Sequence, residues 1–239
     1  MKRVLVTGGG TGIGRAIAHC FAGAGHGVTI AGRRLAPLEE TARGHDITVR
    51  TADVTDEASV AALFEQGFDV VIANAGAGTA TKVADTTLAQ WNATLAVNLT
   101  GTFLTFREAL RDMPQGGRLI AIASTAALQG GSNIAAYAAA KHGVLGLVRS
   151  LAKEVAKKEL TCNAICPGFV DTEMAEAAIT GVMGRFEVTR ERATKMVVSG
   201  NPQGRLIDPA EVAATALWLA SDAARSINGH ALSVSGGEI

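Results

Sequence analysis

The chain has one tyrosine, Tyr137, in the run "IAAYAAAKHG" (134–143), with Lys141 four residues after it. Residues four apart on a helix share a face, so the phenol and the amine would project together. A free phenol titrates near 10. To exchange protons near neutrality its pKa must fall by about 2 to 3 units, roughly 3 to 4 kcal/mol of preferential stabilisation of the phenolate. An ammonium a few ångströms away in a partly dry cleft supplies much of that, so the expectation is a phenol pulled down by Lys141. Such a pair suits proton transfer to or from an alcohol oxygen. Alone the pattern is common by chance, and a core tyrosine beside a surface lysine satisfies it equally well.

The surroundings narrow the choice. "AIASTAALQ" puts Ser124 at the end of an apolar run, thirteen residues before Tyr137, where its hydroxyl could hold a substrate oxygen beside the phenol. In "LAVNLTGTF", Asn98 sits inside a helical pattern although Asn is a poor helix-interior residue, which suggests that a side-chain amide is wanted there.

These residues need elements to hold them. Short β-branched runs at 3–7, 27–31, 47–51, 68–73, 117–124, 160–167 and 230–236 alternate with helical patterns. That alternation predicts βαβ units and an α/β, Rossmann-like doubly wound parallel sheet with helices on both faces. The first helix shows an apolar stripe of Ile13, Ile17, Cys20, Phe21 and Ala24. "DPAE" (208–211) reads as a helix start, with Asp208 as N-cap, Pro209 first in the helix and Glu211 closing a capping box. With no internal repeat and no linker rich in Pro or Ser, residues 1–239 are expected to form a single domain. One segment interrupts the rhythm: Thr172 to Gly200 reads as a pair of helices inserted after the sixth strand. Ligands bind at the carboxyl ends of strands in open α/β sheets, so the insert (172–200) is expected to be a substrate lid; an ordinary surface hairpin is the alternative.

Composition excludes several classes. Lys plus Arg and Asp plus Glu both number 22, so no global field favours nucleic acid or an anionic membrane. The first apolar run is three residues long and no uninterrupted apolar stretch reaches about 18, so a cytoplasmic location is expected. Cys20, Cys162 and Cys166 lack a CxxC pair, and the five histidines lack a spacing such as HExxH; we read the cysteines as small hydrophobes and expect no metal site.

"VLVTGGGTGIGRAIA" places glycines at 8, 9, 10, 12 and 14 between a strand and a helix. Backbone approaches phosphate closely where no Cβ intervenes, and the helix start offers free N–H groups and a positive dipole end. The spacing fits neither GxGxxG nor the P-loop, because Arg15 and Ala16 stand where Lys and Ser/Thr would be needed. After the second strand the chain reads "IAGRR" where NAD-selective proteins carry an acid for the ribose 2′-hydroxyl. Arg33 and Arg34 instead suit a 2′-phosphate, so NADP(H) is preferred and NAD(H) remains an option.

In order, "TGGGTGIG" (7–14), "DV" (53–54), "NAG" (74–76), Asn98, Ser124, "YAAAK" (137–141) and "PG" (167–168) followed by Thr172 resemble the classical short-chain dehydrogenase/reductases over essentially the whole chain. The resemblance implies NAD(P)(H)-dependent interconversion of a ketone and a secondary alcohol. It makes Tyr137 the catalytic acid/base and Ser124 the residue that polarises the carbonyl. Lys141 would bind the nicotinamide ribose and lower the tyrosine pKa, and Asn98 would hold a relay water. Cofactor contacts are implied for Gly8, Thr11, Gly12, Ile13, Gly14, Asp53, Val54, Asn74, Ala75, Gly76, Pro167, Gly168, Val170 and Thr172, besides Tyr137 and Lys141. Asp53 also fits a turn or cap residue, and Pro167-Gly168 a plain turn. The third helix is shorter than the family's, and Ala73 stands where its first asparagine is usual.

The lid segment mixes Met174, Met183, Phe186 and Met196 with Arg185, Arg190, Arg192 and Lys195. That suits an acyl chain bearing an anionic carrier or carboxylate, an acyl thioester or a hydroxy acid, in the manner of 3-oxoacyl reductases and hydroxybutyrate dehydrogenases. The rival reading is a non-catalytic dinucleotide sensor on the same fold. An epimerase or dehydratase would need more chain for its substrate domain. The resemblance further implies a homo-oligomer, tetramer or dimer, with 90–113, 135–159 and the "SVSGGEI" end at interfaces.

Overall fold

In the computed structural model, which describes residues 1–78 and 80–239, seven parallel strands form one sheet in the order β3-β2-β1-β4-β5-β6-β7. The strands are β1 (Arg3–Thr7), β2 (Gly27–Gly32), β3 (Ile47–Thr51), β4 (Val70–Ala73), β5 (Arg118–Ile122), β6 (Thr161–Pro167) and β7 (Ala231–Val234). Their near-continuous apolar character follows from burial on both sides. Val4, Val6, Ile120 and Ile165 face one layer; Leu5, Leu119, Cys162 and Cys166 face the other.

The first layer comprises α1 (Gly12–Gly23), α2 (Leu35–Ala42) and α9 (Pro209–Leu219), which bury Ile17, Phe21, Leu38, Val212 and Leu219 against the sheet. Ala24, expected on the α1 stripe, is exposed, because it caps the helix where the chain turns toward β2. The second layer holds α3 (Glu57–Ala61, continued as a 3₁₀ turn to Phe64), α4 (Leu88–Leu95), α5 (Gly101–Asp112) and α6 (Ala135–Val155). Asp208, Pro209 and Glu211 form the predicted capping box at α9. Cys166 and Cys162 are buried, and burial pushes both thiols up, Cys166 to about 11, so they behave as packing groups at neutral pH.

The strand order reverses beside β1, whose neighbours are β2 and β4, and it is at the carboxyl ends beside such a reversal that open α/β sheets have their ligand crevice. Two helices, α7 (Glu173–Phe186) and α8 (Arg190–Val197), follow β6 at that end, matching the expected inserted pair. None of the helices among the described residues is long and apolar enough to cross a membrane.

Candidate active site

Asn98 is placed by a local defect in the helix that carries it. Asn98 lies inside a helical run, as its sequence pattern suggests, but between α4 and α5 that run widens into a π-helical turn, Ala96–Thr100. The buried Asn98 amide donates to Thr94 O (2.9 Å) and Ala77 O (2.7 Å), which uses both its hydrogens. Its Oδ1 is buried with no partner among the described residues. Gly143 of α6 allows close approach to this turn, since a Cβ there would lie 2.8 Å from Leu99.

Helix α6 carries Tyr137 and Lys141 on one face, with Lys141 Nζ 5.6 Å from the Tyr137 ring centre. Lys141 is fully buried at its ammonium end and donates to the carbonyl of Ile122, the last residue of β5 (2.8 Å). A Cβ on Gly76 would sit 2.8 Å from Asn98 Oδ1 and 3.6 Å from Lys141 Nζ, so both polar atoms border the same small space. Gly78 lies against the Tyr137 ring. Ser124 is two residues beyond β5 and caps a 3₁₀ turn, Thr125–Ala127: its Oγ accepts from Ala126 N (3.1 Å), leaving its own proton free to donate.

The electrostatics differ from expectation. Burial holds the Lys141 ammonium down to about 8, and burial pushes the Tyr137 phenol above its ordinary value against the opposing pull of the Ser124 hydroxyl. The expected lowering of the phenol by Lys141 is therefore not a property of the protein alone. Desolvation outweighs a lysine that itself faces a backbone carbonyl.

On the nucleotide side, Gly8 adopts positive φ (+68°), and a Cβ on Gly14 would lie 2.2 Å from the Gly8 carbonyl oxygen, so the loop closes tightly onto the start of α1. Thr11 precedes α1 without capping it through its side chain, and the first turn carries no acid. Its N–H groups and dipole end thus face the crevice uncompensated. Thr172, at the start of α7, stands over Gly12: a Cβ on Gly12 would be 3.0 Å from its methyl group. A glycine cradle, an uncapped helix start and a buried orphan amide oxygen together fit a dinucleotide.

Several expected residues brace this cradle. Asn74 Nδ2 donates to Thr7 O (3.0 Å) and Gly8 O (3.2 Å), while Thr7 Oγ1 accepts from the Asn74 and Ala75 amides. Sequence reasoning missed Thr7, whose signal was a hydroxyl at the end of a buried apolar strand. The Val54 side chain is buried against Gly101, so it faces the core. Asp53 accepts from the Thr55 amide (2.9 Å) and hydroxyl (2.8 Å), the turn role weighed above. The Thr55 amide, the Thr55 hydroxyl and the Arg33 charge hold its carboxyl below its usual value. Arg33 and Arg34 are exposed just beyond β2. Ile13 and Thr11 are half-buried beside the loop. The Gly168 amide donates to Val234 O (3.1 Å) after Pro167 ends β6. Val170 pairs with Ile207, and Thr172 Oγ1 donates to Val170 O (3.1 Å).

In the inserted helices Arg185, Arg190 and Lys195 are engaged. Arg190 grips the Glu176 carboxylate, Lys195 donates to Glu191 (2.7 Å), and the Arg185 guanidinium lies over the Phe186 ring, 5.3 Å from its centre. Met174 and Phe186 are half exposed, as is Phe169 at the end of β6.

A family model described as enoyl-(acyl carrier protein) reductase matches residues 8–238. The chain is 35% identical to a 3-oxoacyl-(acyl-carrier-protein) reductase of Aquifex aeolicus, with 99% of this chain and 96% of the relative covered. It is 36% identical to a D-beta-hydroxybutyrate dehydrogenase of Rhizobium meliloti, covering 99% and 98%. The solved structure of a variant actinorhodin polyketide ketoreductase with NADPH superposes with a TM-score of 0.92 at 34% identity, over 99% of this chain and 97% of that one. Glycine loop, strand order and clustered Ser124, Tyr137 and Lys141 agree with these likenesses, and the chain belongs to the short-chain dehydrogenase/reductase family of oxidoreductases.

Proposed function

We propose that the protein is an NADP(H)-preferring oxidoreductase that interconverts a ketone and a secondary alcohol on a 3-oxoacyl/3-hydroxyacyl-type substrate. The observation that carries this reading is the convergence of Ser124, Tyr137, Lys141 and Asn98 beside a glycine cradle at the strand-order reversal. NADP(H) supplies or accepts the hydride at its nicotinamide ring. Gly8, Gly12 and Gly14 with the α1 start would hold the pyrophosphate, and Arg33 with Arg34 would take the 2′-phosphate. Asp53 and the backbone of Val54 would border the adenine, Asn74, Ala75 and Gly76 the adjoining ribose, and Pro167, Gly168, Val170 and Thr172 the nicotinamide end.

Ser124 donates to the substrate carbonyl oxygen. Tyr137 gives that oxygen its proton, and a phenol kept protonated by burial is already in the form that reduction needs. Lys141 would hold the nicotinamide ribose, and the space its ammonium shares with Asn98 Oδ1 before Gly76 suits a water that would pass a proton back to the Tyr137 phenolate. Helices α7 and α8 form the substrate lid (172–200) of a single domain. We take the protein to be a homo-oligomer, dimer or tetramer, and place it in the cytoplasm.

The test is NADPH absorbance in the presence of a panel of ketones and 3-oxoacyl esters or thioesters, with NADH in parallel. Turnover of a 3-oxo compound, faster with NADPH, supports the reading. NADPH binding without turnover of any member would favour the sensor.

A further inference from the structure

We propose that Arg15 and Thr41 are positioning residues for cofactor choice: they fix α2, and with it the Arg33–Arg34 turn, against the glycine loop, and so set how far the protein favours NADPH over NADH. The inference rests on the reading of Arg33 and Arg34 as partners of the 2′-phosphate.

Arg15 is the fourth residue of α1, close enough to the glycine loop for its charge to serve a phosphate directly. The structure turns it elsewhere. Its Nη2 donates to Gly10 O (2.9 Å) and lies 3.4 Å from Glu40 Oε2, while its Nε donates to Thr41 Oγ1 (3.1 Å). Thr41, near the end of α2, is fully buried, and its hydroxyl reaches the carbonyls of Gly10 (3.1 Å) and Pro37 (3.0 Å). Gly10 also rests on the first turn of α2: a Cβ there would lie 3.1 Å from Pro37 Cβ and 3.3 Å from Leu38 N. The Gly10 carbonyl is thus the point at which the loop, α1 and α2 are tied together.

Arg33 and Arg34 are the two residues between β2 and α2. Their turn is anchored at both ends. Before it, the Gly8 and Gly9 amides donate to Ala31 O (2.7 and 3.2 Å); beyond it, Thr41 and Arg15 hold α2 to Gly10. NADH would meet only the glycine cradle. NADPH would engage the cradle and the arginine turn at once, so its affinity depends on the distance between them, and a shift of about 1 Å weakens the charge-assisted contacts to the 2′-phosphate.

The experiment measures kcat/KM for NADPH and for NADH with a 3-oxo ester in wild type, Thr41→Ser, Thr41→Val, Arg15→Lys and Arg15→Met. Thr41→Ser keeps the hydroxyl and Thr41→Val keeps the shape; Arg15→Lys keeps the charge and loses the planar fork. The NADPH-to-NADH ratio should fall about tenfold in Thr41→Val and in both Arg15 variants and stay within about twofold of wild type in Thr41→Ser, with kcat at saturating NADPH little changed. Added to Arg33→Ala with Arg34→Ala, Thr41→Val should lower the ratio no further, because its effect passes through those arginines. Wild-type ratios in both Thr41→Val and Arg15→Lys overturn the inference, as does a further fall in the double-alanine background. A ratio kept by Arg15→Lys and lost in Arg15→Met assigns Arg15 to the phosphate itself and overturns it too. If Arg33→Ala with Arg34→Ala alone leaves the ratio at its wild-type value, the 2′-phosphate reading fails and takes the inference with it.

Discussion

The two ends of the crevice are built on opposite plans. At the nucleotide end the backbone is packed against itself: Gly14 meets the Gly8 carbonyl, Asn74 and Thr7 stitch β4 to β1, and no room is left for a side chain. At the substrate end the surface is loose. Phe169, Met174 and Phe186 are half exposed, and Arg190 with Glu176 and Lys195 with Glu191 pair within the same helical hairpin. A rigid end suits one invariant ligand, and an adaptable end suits a substrate that must enter and leave.

Substitutions should therefore have opposite signatures at the two ends. The largest effect is expected for Gly14→Ala, whose new methyl would overlap the Gly8 carbonyl oxygen. It should lower stability by about 3 kcal/mol and abolish NADPH binding, read by urea midpoint and fluorescence titration; a midpoint within experimental error of wild type would show that the loop yields.

Lys141→Met comes next. It should cost about 10²-fold or more in kcat and change the pH dependence of stability. A lysine held at about 8 when folded, against its ordinary 10.5, binds fewer protons folded than unfolded between those values, so stability should rise with pH across that window. The gain is about 3 kcal/mol in wild type and should vanish in the variant; equal slopes would contradict the burial assigned to this ammonium.

Arg33→Ala with Arg34→Ala should cut the NADPH-to-NADH ratio of kcat/KM by about 10- to 100-fold while leaving the folded state nearly unaltered, because both side chains are exposed. The smallest effects belong to the α7–α8 hairpin. Phe186→Ala, at a half-exposed position, should cost under about 1 kcal/mol and change KM for the acyl substrate with NADPH affinity unaltered. A large fall in NADPH affinity there would break the separation between the two ends.

The same contrast explains what the sequence revealed. The glycine loop, Asn98, Ser124 and the Tyr137–Lys141 pair were legible because each violates a local rule: glycines where a helix begins, an amide within a helix, a single phenol among alanines. The strands were legible through their alternation with helices, and α9 through its capping box. What escaped notice depends on contacts between distant segments. The π-helical widening around Asn98 comes from packing among α4, α5 and α6 and leaves no mark in composition. Thr7 gains its role only when β4 lies beside β1. The raised phenol results from burial, which no spacing of Tyr137 and Lys141 discloses. In the α7–α8 hairpin the cations were visible in the sequence, but the pairing of Arg190 with Glu176 and of Lys195 with Glu191 was not, so a cationic surface for an anionic ligand was expected where the structure has these ion pairs.

Tyr137 is the proposed proton donor, at a site whose glycine cradle it does not touch. Tyr137→Phe removes one oxygen from a side chain that lies beside Gly78 and Ser124 and leaves the glycine cradle untouched. Measured in one preparation by single-turnover NADPH oxidation with a 3-oxo ester and by NADPH titration, the variant should lose about 10²- to 10⁴-fold in rate with Kd for NADPH within about threefold of wild type. Turnover like that of the wild type would contradict the assignment of the proton to Tyr137.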